Sequence, residues 1–164
     1  MRVFDASSVI YAWDNYPLSQ FPGLWNWIAD EMSGNQFVIP ETVLEEVRHK
    51  SPECAQWMTA NGLCVIPVDS RILRAALQIK DVLGIVGDQY HPKGVDENDL
   101  LVISTAKVLG FCVVSDEAKQ HWKKEDRIPL RAKFKIPAVC SLPECNVSCM
   151  SFIELIKNSG AVFG

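Results

Sequence analysis

Short apolar runs bounded by Gly, Pro, Asp or Asn alternate along this chain with longer stretches whose apolar residues recur at helical spacing. The runs at 2–4, 36–39, 63–68, 111–115 and 134–139 read as five short strands. Helical periodicity covers 8–14, 24–32, 41–50, 52–61, 70–83, 99–109 and 152–158. Parallel strands need long crossovers, so helices between nearly all strands predict a small, mostly parallel sheet covered on both faces. The 99–109 helix is apolar on almost every side, which makes it central. On the 24–32 helix, Trp25, Trp27, Ile28 and Met32 form one apolar face, expected to meet the core or a partner.

Four acids stand at strand ends, at the start of a helix or at the border of a helix's apolar stripe. Asp5 follows the first strand and precedes the first helix, at the carboxyl edge where open α/β sheets gather ligands. Its alternative role is a helix cap. In the 41–50 helix, Val43, Leu44 and Val47 define the core side. At about 100° per residue Glu46 borders that side, whereas Glu45 faces water. Asp99 opens the central helix, with Asp96 as the nearest competitor for its role. Asp116 closes the strand at 111–115, and the adjacent Glu117 competes with it. A carboxylate set without histidine suits hard cations such as Mg²⁺ or Mn²⁺ rather than zinc, and unneutralised acids this close should titrate high.

The chain has 164 residues and is 48% hydrophobic, enough for one core, so residues 1–164 are expected to form a single domain. No apolar run suits a signal peptide or a bilayer-spanning helix, which predicts a cytoplasmic protein with no membrane association and with six reduced, mostly buried cysteines. The net charge of −4 argues against a general positive field for nucleic acid. Locally, however, Lys119, Lys123, Lys124, Arg127, Arg131, Lys133 and Lys135 make a basic segment, opposed only by Glu125 and Asp126. Cys140, Cys145 and Cys149 lack the paired spacing of zinc sites, and His49, His91 and His121 lie in unrelated contexts. No glycine-rich phosphate loop is present, which argues against nucleoside triphosphate chemistry.

The opening Val3-Phe4-Asp5-Ala6-Ser7-Ser8-Val9-Ile10 resembles that of PIN-domain nucleases. Ile39-Pro40 through Leu44-Glu45-Glu46-Val47 is similar to the second acidic motif of that family, Asp99-Leu100-Leu101-Val102 through Gly110 to the third, and Val113-Val114-Ser115-Asp116 to the fourth. The family's usual spacing in the fourth motif would assign Glu117 instead of Asp116. The order and spacing agree from Val3 to about Val139, and the tail Lys135-Ile136-Pro137-Ala138-Val139-Cys140 is similar to a stand-alone bacterial PIN-like branch.

The resemblance implies a three-layer PIN-like α/β fold with a small central sheet of about five strands. It further implies a Mg²⁺- or Mn²⁺-dependent ribonuclease, in many members the toxin of a toxin–antitoxin pair like the VapC-type toxins. Asp5, Glu46, Asp99 and Asp116 would then bind the metal and act in catalysis, with Asp96 and Glu117 as alternative ligands. Ser7 would hydrogen-bond Asp5 or a metal-bound water. Lys119, Lys123, Lys124, Arg127 and Arg131 would engage RNA phosphates, and Trp13, Tyr90 and Trp122 are candidates for base stacking. An antitoxin protein and a homodimer are the candidate partners, and the tryptophan helix, where it does not meet the core, is the surface they would use. Two other readings stay open: a catalytically silent PIN-like RNA- or protein-binding module, and a structure-specific DNA nuclease.

Overall fold

The computed structural model describes residues 1–120 and 131–164. Among them the chain runs β1 (Arg2–Phe4), α1 (Ala6–Asn15), α2 (Pro22–Ser33), β2 (Phe37–Pro40), α3 (Glu41–Lys50), α4 (Pro52–Ala60), β3 (Cys64–Ile66), α5 (Ser70–Val82), α6 (Glu97–Leu109), β4 (Cys112–Val114), α7 (Ile136–Ser141), β5 (Cys149–Met150) and α8 (Phe152–Ser159). The five strands form one sheet in the order β3-β2-β1-β4-β5, and every neighbouring pair is parallel. Val3 stands opposite Val38 on one side and Val113 on the other.

Successive strand residues point to opposite faces, and Val3 with Phe4, Val38 with Ile39, and Val113 with Val114 are all buried. Both faces of the sheet are therefore covered, as the continuous apolar strands required. Leu100 to Ala106 of α6 are buried without interruption, and the polar members of that run are satisfied locally. Ser104 Oγ donates to the Leu100 carbonyl at 2.6 Å and Thr105 Oγ1 to that of Leu101 at 2.7 Å. The Trp25 ring packs edge-on against Trp13 and Trp57, with centroids 5.3 and 4.8 Å away. Trp25, Ile28 and Met32 are buried, so most of the apolar face of α2 belongs to the core rather than to a partner surface. Among the described residues no helix is long and apolar enough to cross a membrane.

One predicted strand is corrected. Residues 134–139 contain no strand; Ile136–Ser141 form the helix α7, with Pro137 in its first turn, and the fifth strand is the two-residue β5. Proline lacks the N–H that a strand ladder uses but fits the first turn of a helix, whose N–H groups are unpaired in any case. Ile136, Ala138, Val139 and Cys140 are buried together, and an unbroken apolar run of that length carries no period to distinguish the two. A second correction concerns the start of α6, which is Glu97 rather than Asp99. Asp96 is the N-cap; its carboxylate accepts from Asp99 N, and the Asp99 carboxylate accepts from Asp96 N, both at 2.9 Å.

Gly94 precedes this cap and fixes the approach of two loops. A methyl group there would lie 2.0 Å from the Ala132 carbonyl oxygen, and Val95 N donates to the Phe134 carbonyl at 3.0 Å. Gly94→Ala should therefore push the 91–95 loop off residues 132–134 and cost roughly 1–3 kcal/mol of unfolding free energy, the range for forced overpacking. Urea denaturation of the two proteins measures it, and unchanged stability would refute the contact.

Candidate functional site

In this strand order the chain turns from one side of β1 to the other, so a crevice opens at the carboxyl ends of β1 and β4, where such sheets bind ligands. Asp5 leaves β1 there. Its N–H donates to the Val114 carbonyl at 3.0 Å, and Ser8 Oγ donates to the carbonyls of both Asp5 and Val114, at 2.8 and 2.9 Å. Asp5 occupies the N-cap position of α1, yet its side chain caps nothing. The carboxylate instead accepts from Ser7 Oγ at 2.5 Å and from Ser115 Oγ at 3.1 Å, and the residue is 4% exposed.

A cleft of about 360 Å³ lies in front of it, lined by the acids Asp5, Glu46, Asp96, Asp99 and Glu117, by Ser7, Lys50 and Lys135, and by the loop residues Tyr90 to Pro92 and Gly94. Burial pushes the Asp5 carboxyl up to about 6; the hydroxyls of Ser7 and Ser115 oppose the shift, and the charges of Glu117 and Glu46 add to it. Asp99 is pushed up to about 8, first by burial and then by the charges of Asp96, Asp5 and Glu117, against the hydrogen bond from Asp96 N. Five acids thus act on one another within one crevice. Glu46 turns inward with its side chain 23% exposed, whereas Glu45 is 69% exposed and pairs with Arg48, in line with their helical angles.

Asp116 and Glu117 part company. The Asp116 carboxylate accepts from Phe152 N at 3.3 Å, at the first turn of α8, and the charge acting on it is that of Glu154. Glu117 Oε2 accepts from Ile136 N at 2.9 Å, its Oε1 lies 3.7 Å from Lys135 Nζ, and it lines the cleft. The expected basic face is also divided. Lys119 pairs with Glu154 at 2.5 Å and Arg131 with Glu144 at 3.1 Å, and neither lines the cleft. Lys123, Lys124 and Arg127 lie outside the described residues, as do His121 and Trp122. Of the other aromatic candidates, Trp13 belongs to the tryptophan cluster and Tyr90 reaches the cleft.

Sequence reasoning missed the role of Ser115 as the second hydroxyl on Asp5, and it missed Lys50. The Lys50 Nζ lies 2.5 Å from Glu46 Oε1, and the signal was present, since one helical turn separates the two residues. Among the described residues no three Asp, Glu, His or Cys side chains gather closely enough to hold a metal ion, contrary to the single coordination sphere expected. The outer acids are engaged elsewhere, Glu46 by Lys50 and Glu117 by Lys135 and the start of α7. The donor chemistry nevertheless fits a hard cation. It consists of oxygen ligands alone, with the buried Asp5 and the partly buried Asp99 both in surroundings that a positive charge would relieve.

A family model described as "Domain of unknown function (DUF4411)" matches residues 3–163. No curated protein sequence matches the chain. Among solved structures, VapBC2 from Rickettsia felis, bound to a DNA fragment from their promoter, is similar at a TM-score of 0.55 and 16% identity, over 92% of this chain and 98% of that one. At that identity the likeness concerns the fold, which is PIN-like.

Proposed function

Because the chain belongs to the DUF4411 family, whose description states no chemistry, we propose its activity from the cleft itself: metal-dependent hydrolysis of RNA phosphodiester bonds. The observation that carries this reading is the pair of aspartates at the carboxyl edge of the central strands, Asp5, which is buried, and Asp99, which is partly buried, each raised by desolvation and by the acids around it. Asp5, Glu46, Asp99 and Glu117 are the residues that would hold Mg²⁺ or Mn²⁺, with Asp96 at hand. The bound cation supplies Lewis-acid activation of water and charge for the leaving oxygen. Ser7 and Ser115 hold the Asp5 carboxylate in a fixed orientation. Tyr90 lines the cleft and is the candidate for stacking on an unpaired base, with Lys80 Nζ over its ring at 5.2 Å from the centre. The fold likeness to VapBC2 supports a place in a toxin–antitoxin pair, with a protein antitoxin as partner. Growth arrest on expression, relieved by a gene beside this one, tests that part.

The test of the chemistry is cleavage of single-stranded RNA by purified protein in Mn²⁺ and in EDTA. Cleavage that EDTA leaves intact, or none in either, would overturn the reading. The same assay distinguishes the two candidates for the fourth acid. Glu117→Gln should slow cleavage by about 100-fold, the loss typical of a damaged metal environment. Asp116→Asn should change the rate less than about threefold and act mainly on stability, because it loses a charged contact to the first turn of α8. The reverse ranking would assign the role to Asp116.

A further inference from the structure

The two glutamates of the proposed metal set each carry a lysine partner, and both lysines line the same cleft. Lys50 comes from the last turn of α3, one turn beyond Glu46, and lies 2.5 Å from it. Lys135 precedes α7 and lies 3.7 Å from Glu117. The inner aspartates are held differently: Asp5 by two hydroxyls and Asp99 by the backbone N–H of Asp96. Lys50 also feels the charges of Asp5 and Asp96, so it stands over the shared acidic field rather than beside an isolated partner. Both ammonium groups keep access to solvent, with side chains 56% and 33% exposed, on stems flexible enough to swing.

An ammonium group and a divalent cation compete for the same carboxylate oxygens. A glutamate bound to a lysine is charge-balanced but unavailable, and a lysine released from it carries its charge at the mouth of the cleft. Resting on the reading of this cleft as a metal-dependent nuclease, we infer that Lys50 and Lys135 are exchangeable counter-ions. Each neutralises its glutamate when no cation is bound and, once the cation takes the glutamate, turns to a phosphate of the RNA strand. The two lysines are positioning residues, and they tie substrate affinity to metal loading. Basic residues elsewhere fit this role less well, since Lys119 and Arg131 are paired with Glu154 and Glu144 outside the cleft.

The exchange predicts opposite signs in two binding experiments. Lys50→Met, which keeps helix propensity and removes the competitor, should bind Mn²⁺ about three- to fivefold more tightly by calorimetry without RNA, the size of an exposed ion pair. It should bind a labelled single-stranded RNA more weakly in Ca²⁺, and the slope of log Kd against log salt should fall by about 0.7, one phosphate contact on a single strand. Lys135→Met should behave alike, and Lys157→Met, on α8, should move neither quantity. Circular dichroism establishes that each variant is folded, and Lys50→Arg, which keeps the charge, should restore the salt slope. If Lys50→Met and Lys135→Met leave Mn²⁺ affinity unchanged or weaken it, or if the salt slope is unaltered, the exchange is overturned. If the unaltered protein takes up no Mn²⁺ at all, the nuclease reading itself has failed.

Discussion

Asp5→Asn should abolish Mn²⁺-dependent RNA cleavage while making the metal-free protein more stable. The two effects have one cause. The Asp5 carboxyl is 4% exposed and is pushed up to about 6, so at neutral pH the fold holds a charge that its surroundings disfavour. An amide keeps an acceptor for Ser7 and Ser115, which hold this side chain at 2.5 and 3.1 Å, and carries no charge to desolvate. A shift of about two pKa units corresponds to about 3 kcal/mol, the upper limit of the gain at pH 8. The cost falls on chemistry. Removing a charged ligand from a metal centre forfeits several kcal/mol of transition-state stabilisation, about a thousandfold or more in rate. Denaturation in EDTA and cleavage in Mn²⁺, measured on one preparation, check both. A variant that is inactive and also less stable would mean that Asp5 supports the fold rather than strains it.

The second large effect is an inverted response to pH. Asp5 and Asp99 are raised to about 6 and about 8, so between about pH 4 and pH 8 the folded protein binds more protons at these sites than the unfolded chain. Unfolding free energy changes with pH in proportion to protons bound in the unfolded state minus those bound in the folded state, a negative difference here. Stability contributed by the two protonated carboxyls is complete below about pH 4 and is lost as pH rises through the folded values. The melting temperature in EDTA should therefore fall from pH 5 to pH 8, and Mn²⁺ should restore more of it at pH 8, where Asp5 is charged and Asp99 is about half ionised. A melting temperature in EDTA that is flat or rises across this window would remove the electrostatic basis of the proposed site. Asp69, Glu144 and Glu154 are shifted the other way, but they titrate below the window and are held near the surface.

How far the sequence could be read depended on what each residue's position is fixed by. Helical angle is a local property, and it separated Glu46 from Glu45 correctly because Val43, Leu44 and Val47 mark the buried side of α3 without ambiguity. The parallel sheet followed in the same way from continuous apolar strands with helices between them. Asp116 and Glu117 have no such marker. They follow the last residue of β4, beyond the pleat that would alternate them, and their directions are decided by Phe152 N and Ile136 N, 36 and 19 residues further on. The strand expected at 134–139 failed for a related reason, since apolar residues buried on every side look alike in a helix and in a strand. The pairing of each glutamate with a lysine needed both kinds of knowledge: Lys50 was visible one turn from Glu46, while Lys135 meets Glu117 only in the folded chain.

The central place of β1 has a consequence for when the cleft can be complete. The strand made first must wait for β4, more than a hundred residues later in sequence, before its second edge is paired and before Ser115 and Glu117 come up beside Asp5. Such distant closure is slow to form. During synthesis the acids of the cleft are strung along an emerging chain with no shared crevice, so the site on which the proposed activity rests is assembled only once the translated chain extends past β4.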